Sequence, residues 1–267
     1  MSPKKPKFEV RLAESPADLR AAQRLRYRVF VEELGGDGEL VDHACQLETD
    51  RFDPFFDHLL LLDHNQPGEP DPEADGVLLP PVVGVYRLLR SDQASKTGGF
   101  YSADEYDLTP LLETGRKLLE LGRSCVHADY RGGTAMFHLW NGLAHYVLRT
   151  EVKIMFGVAS FHGTDIEPLR QPLSYLHHNH LAPEDLRVSV RTAHSQSMDL
   201  LPPEQIDRRK AMLETPALIK AYIRLGGFVG EGAFIDHEFN TTDVCLIIDT
   251  EKMNPGKRDF YVRKGTE

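Results

Sequence analysis

KLLELGRSCVHADYRGGTAMFHLWNGLAHYVL, residues 117–148, is the stretch from which the architecture reads outward. It opens on an apolar run of strand length, 118–126, whose polar exceptions are Glu120, Arg123 and Ser124. A turn of small and polar residues follows, 127–134. Then Met136, Leu139, Trp140, Leu143, Ala144 and Val147 recur at i, i+3, i+4, i+7 spacing, which predicts a helix over 135–148. Strand, glycine turn, helix is an anion-binding geometry. The first N–H groups of a helix have no partner within it, and the dipole places partial positive charge there. Gly132 and Gly133 let a phosphate approach the backbone. By itself the stretch reads equally well as an ordinary strand–helix unit.

The order Arg131, Gly132, Gly133, Thr134, Ala135 resembles a degenerate form of the Arg/Gln-x-x-Gly-x-Gly/Ala loop of the GCN5-related N-acyltransferases. The last small residue matches Ala135 and the middle glycine is displaced. The resemblance implies that these five residues hold the phosphate of a pantetheine-bearing acyl donor.

The chain has 267 residues, 41% of them hydrophobic, enough for one sizeable core. It reads as one domain, 1–267, with a mobile insertion over 64–81 and a basic tail from 252. No apolar stretch approaches the roughly eighteen residues of a membrane span. The start, MSPKKPKFEV, has lysines without an apolar run behind them and does not read as a secretory signal. Three widely spaced cysteines, Cys45, Cys125 and Cys245, suit reduced thiols in a cytoplasmic protein. A net charge of −10 argues against nucleic-acid binding and is compatible with a cationic substrate.

Upstream, Ser15-Pro16-Ala17-Asp18 is a helix start, and the helix is expected to reach about Leu34 before Gly35-Gly36. Arg26 and Phe30 are one turn apart and can share a face; Arg20 and Arg24 suit a solvated face with acidic neighbours. The loop 37–56 is rich in acids and carries Asp50-Arg51-Phe52-Asp53. Runs 58–63 and 82–89 read as antiparallel neighbours, and Arg87 is the one charge inside the second; the acids of the preceding loop can pair with it. The connection 91–112 sets aromatics beside acids, either packed on the sheet or lining an amine pocket. Downstream, strands are expected over 152–161, 186–191 and 243–249, and helices over 167–178 and 217–225. His177, His178 and His180 read as structural or surface histidines, since adjacent helix residues point apart and no Cys or carboxylate stands at a matching spacing. The pattern predicts an α/β fold, a mixed and mostly antiparallel sheet flanked by helices, as in GCN5-related N-acyltransferases.

The charges left inside patterned segments form a set: Arg26 with Phe30, Asp50 with Asp53, Arg87, and Glu120 with Arg123. This set resembles the motifs of acyl-homoserine lactone synthases, except that their tryptophan after the first helix is absent and Gly35-Gly36 stands near its place. A fuller resemblance is to the ornithine N-acyltransferases of bacterial ornithine-lipid synthesis. It runs through RYRVFVEE (26–33), DRFD (50–53), GFYSADEYDL (99–108), ELGRSCVHADYR (120–131), FGVASFHGTD (156–165) and FNTTDVCLI (239–247). It implies transfer of a 3-hydroxyacyl group from acyl carrier protein to the α-amino group of ornithine. The phosphopantetheine thioester is then a co-substrate, with no bound cofactor or metal. N-acylation needs a neutral amine, a proton acceptor and donors for the oxyanion. Glu120 and Arg123 are the catalytic candidates, Glu120 as base or amine-positioning group. Arg26, Phe30, Asp50, Asp53 and Arg87 are the acceptor-binding candidates: the acids for an ammonium, the arginines for a carboxylate or for pairing the acids. The alternative for these charges is a buried ion network that orients the loop. Glu120 and Arg123 face opposite sides of a regular strand, and Gly122 is the expected site of a bulge that joins them. Cys125 reads as a small buried thiol. Apolar Leu200, Leu201, Met212 and Leu213, interleaved with Arg208, Arg209 and Lys210, suit peripheral contact with the inner face of the cytoplasmic membrane, docking of acyl carrier protein, or packing on the core.

Overall fold

The computed structural model describes residues 5–253. In chain order the strands are β1 (Phe8–Leu12), β2 (Asp57–Asp63), β3 (Glu69–Pro70), β4 (Leu78–Leu79), β5 (Val82–Arg90), β6 (Tyr106–Asp107), β7 (Leu118–Val126), β8 (Ile154–His162), β9 (Ser189–Val190), β10 (Ser195–Gln196), β11 (Phe228–Val229), β12 (Ala233–Asp236) and β13 (Thr241–Asp249). The α-helices are α1 (Pro16–Arg26), α2 (Ser91–Thr97), α3 (Thr109–Glu113), α4 (Ala135–Thr150), α5 (Arg170–His180), α6 (Arg208–Glu214) and α7 (Ala217–Arg224). This is the expected α/β fold, with a mixed, mostly antiparallel sheet flanked by helices. The described residues form two compact units. The first holds the chain up to Leu89 together with Leu121–Thr150; the second holds Arg90–Glu120 and the chain from Glu151. The expected tail beyond Met253 lies outside the described residues.

In the first unit β2 pairs antiparallel with β1 on one side and β5 on the other. Both faces of β2 are covered, which is why HLLLLD is apolar without alternation. On one face Leu60, Leu62 and Val85 pack with Ala21, Ala22, Leu25 and Val29 of the first helix. On the other lies α4. It comes so close that a Cβ on Gly142 would stand 2.4 Å from Val10 Cγ1, and one on Gly84 would stand 2.9 Å from Leu139 Cδ1. Successive strand residues point to opposite faces, so the two helices sandwich these strands.

The first helix begins as expected. Ser15 Oγ accepts from Asp18 N, and the Asp18 carboxylate accepts from Ser15 N, a capping box. It does not remain α-helical to Leu34. Beyond Arg26 it becomes a π-helix, Tyr27–Glu33, whose wide turns show in Leu34 N donating to Val29 O. Val29 and Val31 are β-branched and poor α-formers. Phe30 lies in the π segment, so the one-turn α spacing expected between it and Arg26 does not hold; it packs, half-buried, on the first unit's core. The insertion carries the β3–β4 pair. Its Asp71 carboxylate is buried against Arg20, with Nε 2.8 Å from Oδ1. Arg20 is therefore mostly covered rather than solvated. β1 has no counterpart in the sequence reading, because five residues of weak alternation give little signal.

In the second unit Leu118, Leu119 and Glu120 pair parallel with Ile154, Met155 and Phe156 of β8. The chain between contains α4, the crossover a parallel pair requires. β8 pairs along its whole length with β13, and β12 and β10 follow. The expected strand 186–191 reduces to β9, paired with β6. Phe100 is buried with its ring 5.0 Å from that of Phe156, which places the aromatic connection 91–112 on the sheet.

Candidate active site

The first unit holds a buried ion network. Arg26 closes α1 and is fully buried. Its Nη1 donates to Asp53 Oδ1 at 2.7 Å, its Nη2 to Asp53 Oδ2 at 3.1 Å and to Glu48 O at 2.7 Å, and its Nε to the Glu48 carboxylate. Arg87 comes from the middle of β5. Its Nη1 reaches the Asp50 carboxylate and Asp53 Oδ1 at 3.0 Å, and its guanidinium lies 4.3 Å over the Phe56 ring. The expected pairing of Arg87 with the preceding loop is thus present. Arg123 Nε donates to Glu48 Oε1 at 3.1 Å, with Nη2 3.8 Å from Asp50 Oδ2. Three arginines face three carboxylates. Without the attraction of these cations, burial would push the acids up; with it Glu48, Asp50 and Asp53 are all held below the usual carboxylate range.

This network decides what its members can do. Asp53 is buried and accepts from Arg26, Arg87 and Gln23, the last at 2.9 Å. The open edge belongs to Asp50 and Arg123, whose side chains are 16% and 15% exposed. Asp50 also organises the chain locally: its Oδ1 accepts from Phe52 N at 2.8 Å and Asp53 N at 3.1 Å. His58 is buried with Nε2 3.0 Å from Asp53 O, and burial beside Arg26 pushes it down to about 4. Glu48, 1% exposed, is a full member that the sequence reading left among the loop acids. Its only sequence signal is an acid directly after an apolar residue, Leu47, itself buried.

Arg123 is also the irregular residue of β7. Its φ is +46°, a conformation that costs a non-glycine residue energy. The irregularity expected at Gly122 therefore falls one residue later, on the side chain that enters the network. Cys125 is buried, and burial pushes its thiol up to about 12, which suits packing rather than nucleophilic attack.

Glu120 belongs to the second unit and is 1% exposed. Its Oε2 accepts from Tyr101 N at 2.8 Å and its Oε1 from Ser102 N at 2.6 Å. These are the first amides of a 3₁₀ turn, Tyr101–Asp104. The carboxylate thus fixes the start of the aromatic connection.

The candidate donor loop is exposed from Arg131 to Thr134, with Ala135 buried as the first residue of α4. Gly132 has φ +75° and open space where a Cβ would stand, so the turn needs a residue free to adopt that conformation. Arg131 Nε donates to Val126 O at 2.9 Å, and its Nη1 and Nη2 pair with both oxygens of Glu33. In the second unit His177, His178 and Asp199 bring ligand-type atoms within 4.8 Å of one another. The Asp199 carboxylate arrives from a loop twenty-one residues away, beyond the reach of spacing arguments. His178 Nε2 lies 3.0 Å from it and 3.1 Å from Leu201 O.

Residues 25–141 match the family model of the acetyltransferase (GNAT) domain. The fold is similar to that of FeeM, an N-acyl amino acid synthase from uncultured soil microbes (TM-score 0.51, 12% identity, 93% of each chain). It is also similar to that of BjaI, a CoA-dependent acyl-homoserine lactone synthase bound to MTA (TM-score 0.50, 15% identity, 96% of this chain and 88% of that one). Fold and family model together define a GNAT-type domain. The sequence is 59% identical to an L-ornithine N(alpha)-acyltransferase of Rhodobacter capsulatus over 96% of this chain and 95% of that protein. It is 44% identical to one of Brucella abortus over 95% and 88%. The chain belongs to the L-ornithine N(alpha)-acyltransferase family.

Proposed function

We propose that the enzyme moves a 3-hydroxyacyl group from the phosphopantetheine thioester of acyl carrier protein to the α-amino group of L-ornithine, giving a lyso-ornithine lipid. The observation that carries this is the 59% identity to a named L-ornithine N(alpha)-acyltransferase over nearly the whole of both chains. In the reaction the amine nitrogen bonds to the thioester carbonyl carbon, the C–S bond breaks, the amine gives up a proton and the carrier leaves as its thiol. Glu120, a buried carboxylate held by two backbone amides, is assigned to the amine or its proton. Asp50 and Arg123, at the open edge of the ion network, are assigned to the acceptor's ammonium and carboxylate. Arg26, Asp53 and Arg87 hold that edge in place. Arg131, Gly132, Gly133, Thr134 and Ala135 are assigned to the donor's phosphate, supported by the exposed glycine turn at the start of a sixteen-residue helix.

The test is acyl-carrier thioester with a panel of amino acids, products read by mass spectrometry. Ornithine is expected to exceed alanine and serine in turnover, because its side-chain ammonium suits an acidic protein. Equal turnover of all three would remove the assignment of the acceptor. The same panel run with acyl-CoA tests the carrier.

For membrane contact, no helix among the described residues is long and apolar enough to cross a bilayer. Leu201 is buried and Met212 half-buried, while Leu213 is 81% exposed on α6 beside exposed Arg208, Arg209 and Lys210. These residues are assigned to peripheral contact with anionic lipid. The protein is expected to float with anionic vesicles at low salt and to be released at high salt. If it stays soluble at both, with and without donor, the cluster is better assigned to docking the acidic carrier.

A further inference from the structure

Arg131, the arginine of the candidate donor loop, is already bound to a carboxylate. Both terminal nitrogens of its guanidinium face the two oxygens of Glu33, one pair at 2.7 Å, while its Nε is fixed on Val126 O. This fork-to-fork arrangement is the one a guanidinium offers to a phosphate. The partner is unusual in its placement. Glu33 is the last residue of the π-helix Tyr27–Glu33, and such helices are rare and concentrate at functional sites. The turn after it closes through wide bonds, Leu34 N to Val29 O at 3.2 Å and Gly36 N to Phe30 O at 2.8 Å. Arg131 and Glu33 are 42% and 40% exposed, so a ligand can reach the pair and solvent weakens it.

We propose that Glu33 is an internal stand-in for the donor's phosphate: it occupies the Arg131 fork in the free enzyme and is displaced when phosphopantetheine binds. The inference rests on the reading of residues 131–135 as the donor loop. A phosphodiester bears one negative charge, as Glu33 does, so the exchange leaves the charge at the fork unchanged. The competitor raises the donor concentration needed for half-saturation. It also gives the spent carrier an anion to be replaced by as it leaves.

The experiment uses the full-length protein, acyl-carrier thioester as varied substrate and ornithine at saturation. Glu33→Gln is expected to lower the donor KM about two- to fivefold, the scale of a solvent-exposed ion pair, with the change falling on KM rather than kcat. Calorimetric binding of the unacylated carrier protein, whose phosphopantetheine is held through the same phosphodiester, is expected to tighten by the same factor. Arg131→Ala is expected to raise the donor KM, and adding Glu33→Gln to it is expected to change nothing further. If Arg131→Ala raises KM while Glu33→Gln raises it too, or leaves it unchanged, Glu33 is a prop for Arg131 and the stand-in is wrong. If Arg131→Ala leaves the donor KM unchanged, the donor-loop reading itself fails and the inference fails with it.

Discussion

Glu120→Gln is expected to lower kcat about a hundredfold or more, the usual loss when a positioned proton acceptor is removed. The same substitution has a cost in folding that the structure makes specific. Both Glu120 oxygens accept backbone amides, from Tyr101 and Ser102. A glutamine keeps one acceptor and turns an NH₂ group toward the other amide, so a buried donor faces a donor. That mismatch costs about 1–3 kcal/mol. For a chain of this size it corresponds to a fall of several degrees in Tm. The two effects separate when kcat is measured well below the melting transition, with folding verified by circular dichroism. Turnover near the parent value under those conditions would leave Glu120 only the task of holding the 3₁₀ turn. A base also shapes the acid limb of the pH–rate profile, and the limb is expected to flatten in the variant.

Arg26→Met is expected to produce the largest loss of stability, about 3–5 kcal/mol, read from urea unfolding at pH 7. Arg26 is fully buried and makes four hydrogen bonds to Glu48 and Asp53. Methionine fills much of its volume but leaves three buried or half-buried carboxylates facing two arginines. Adding Glu48→Gln is expected to recover part of the loss by restoring neutrality. The pH dependence has a definite sign. Glu48, Asp50 and Asp53 ionise below their unfolded values of 4.5, 3.8 and 3.8. Their contribution is therefore complete above about pH 5 and lost as pH falls through the folded values. The gap between parent and variant should narrow on acidification. His58 adds a slope of its own. Unfolded it takes a proton near 6.5, folded only near 4. The parent is thus expected to lose about 3 kcal/mol between pH 7 and 4 from this group. A variant within 1 kcal/mol of the parent at pH 7 would mean that the network is not what holds residues 48–56 in place.

What the sequence determined by itself is the architecture around 117–148 and most of the cast of charged residues. Strand, turn and helix were legible because both faces of β2 and β5 and most of β7 are covered and because α4 buries one stripe, so period and apolarity appear directly in the residues. Arg26, Asp50, Asp53, Arg87 and Arg123 stood out because a charge in an apolar or patterned segment needs a partner. Tertiary structure decided the partners. Glu48 looks like any loop acid until Arg26 and Arg123 close on it, and Glu33 like a solvated helix end until Arg131 reaches it. The positive φ of Arg123 and the approach of Asp199 to His178 depend on contacts between residues far apart in the chain. Local propensity has no term for such contacts. Which acids remain open to a substrate also follows from that packing. Asp53 is filled by two arginines and a glutamine, whereas Asp50, three residues away and of the same type, keeps an exposed edge.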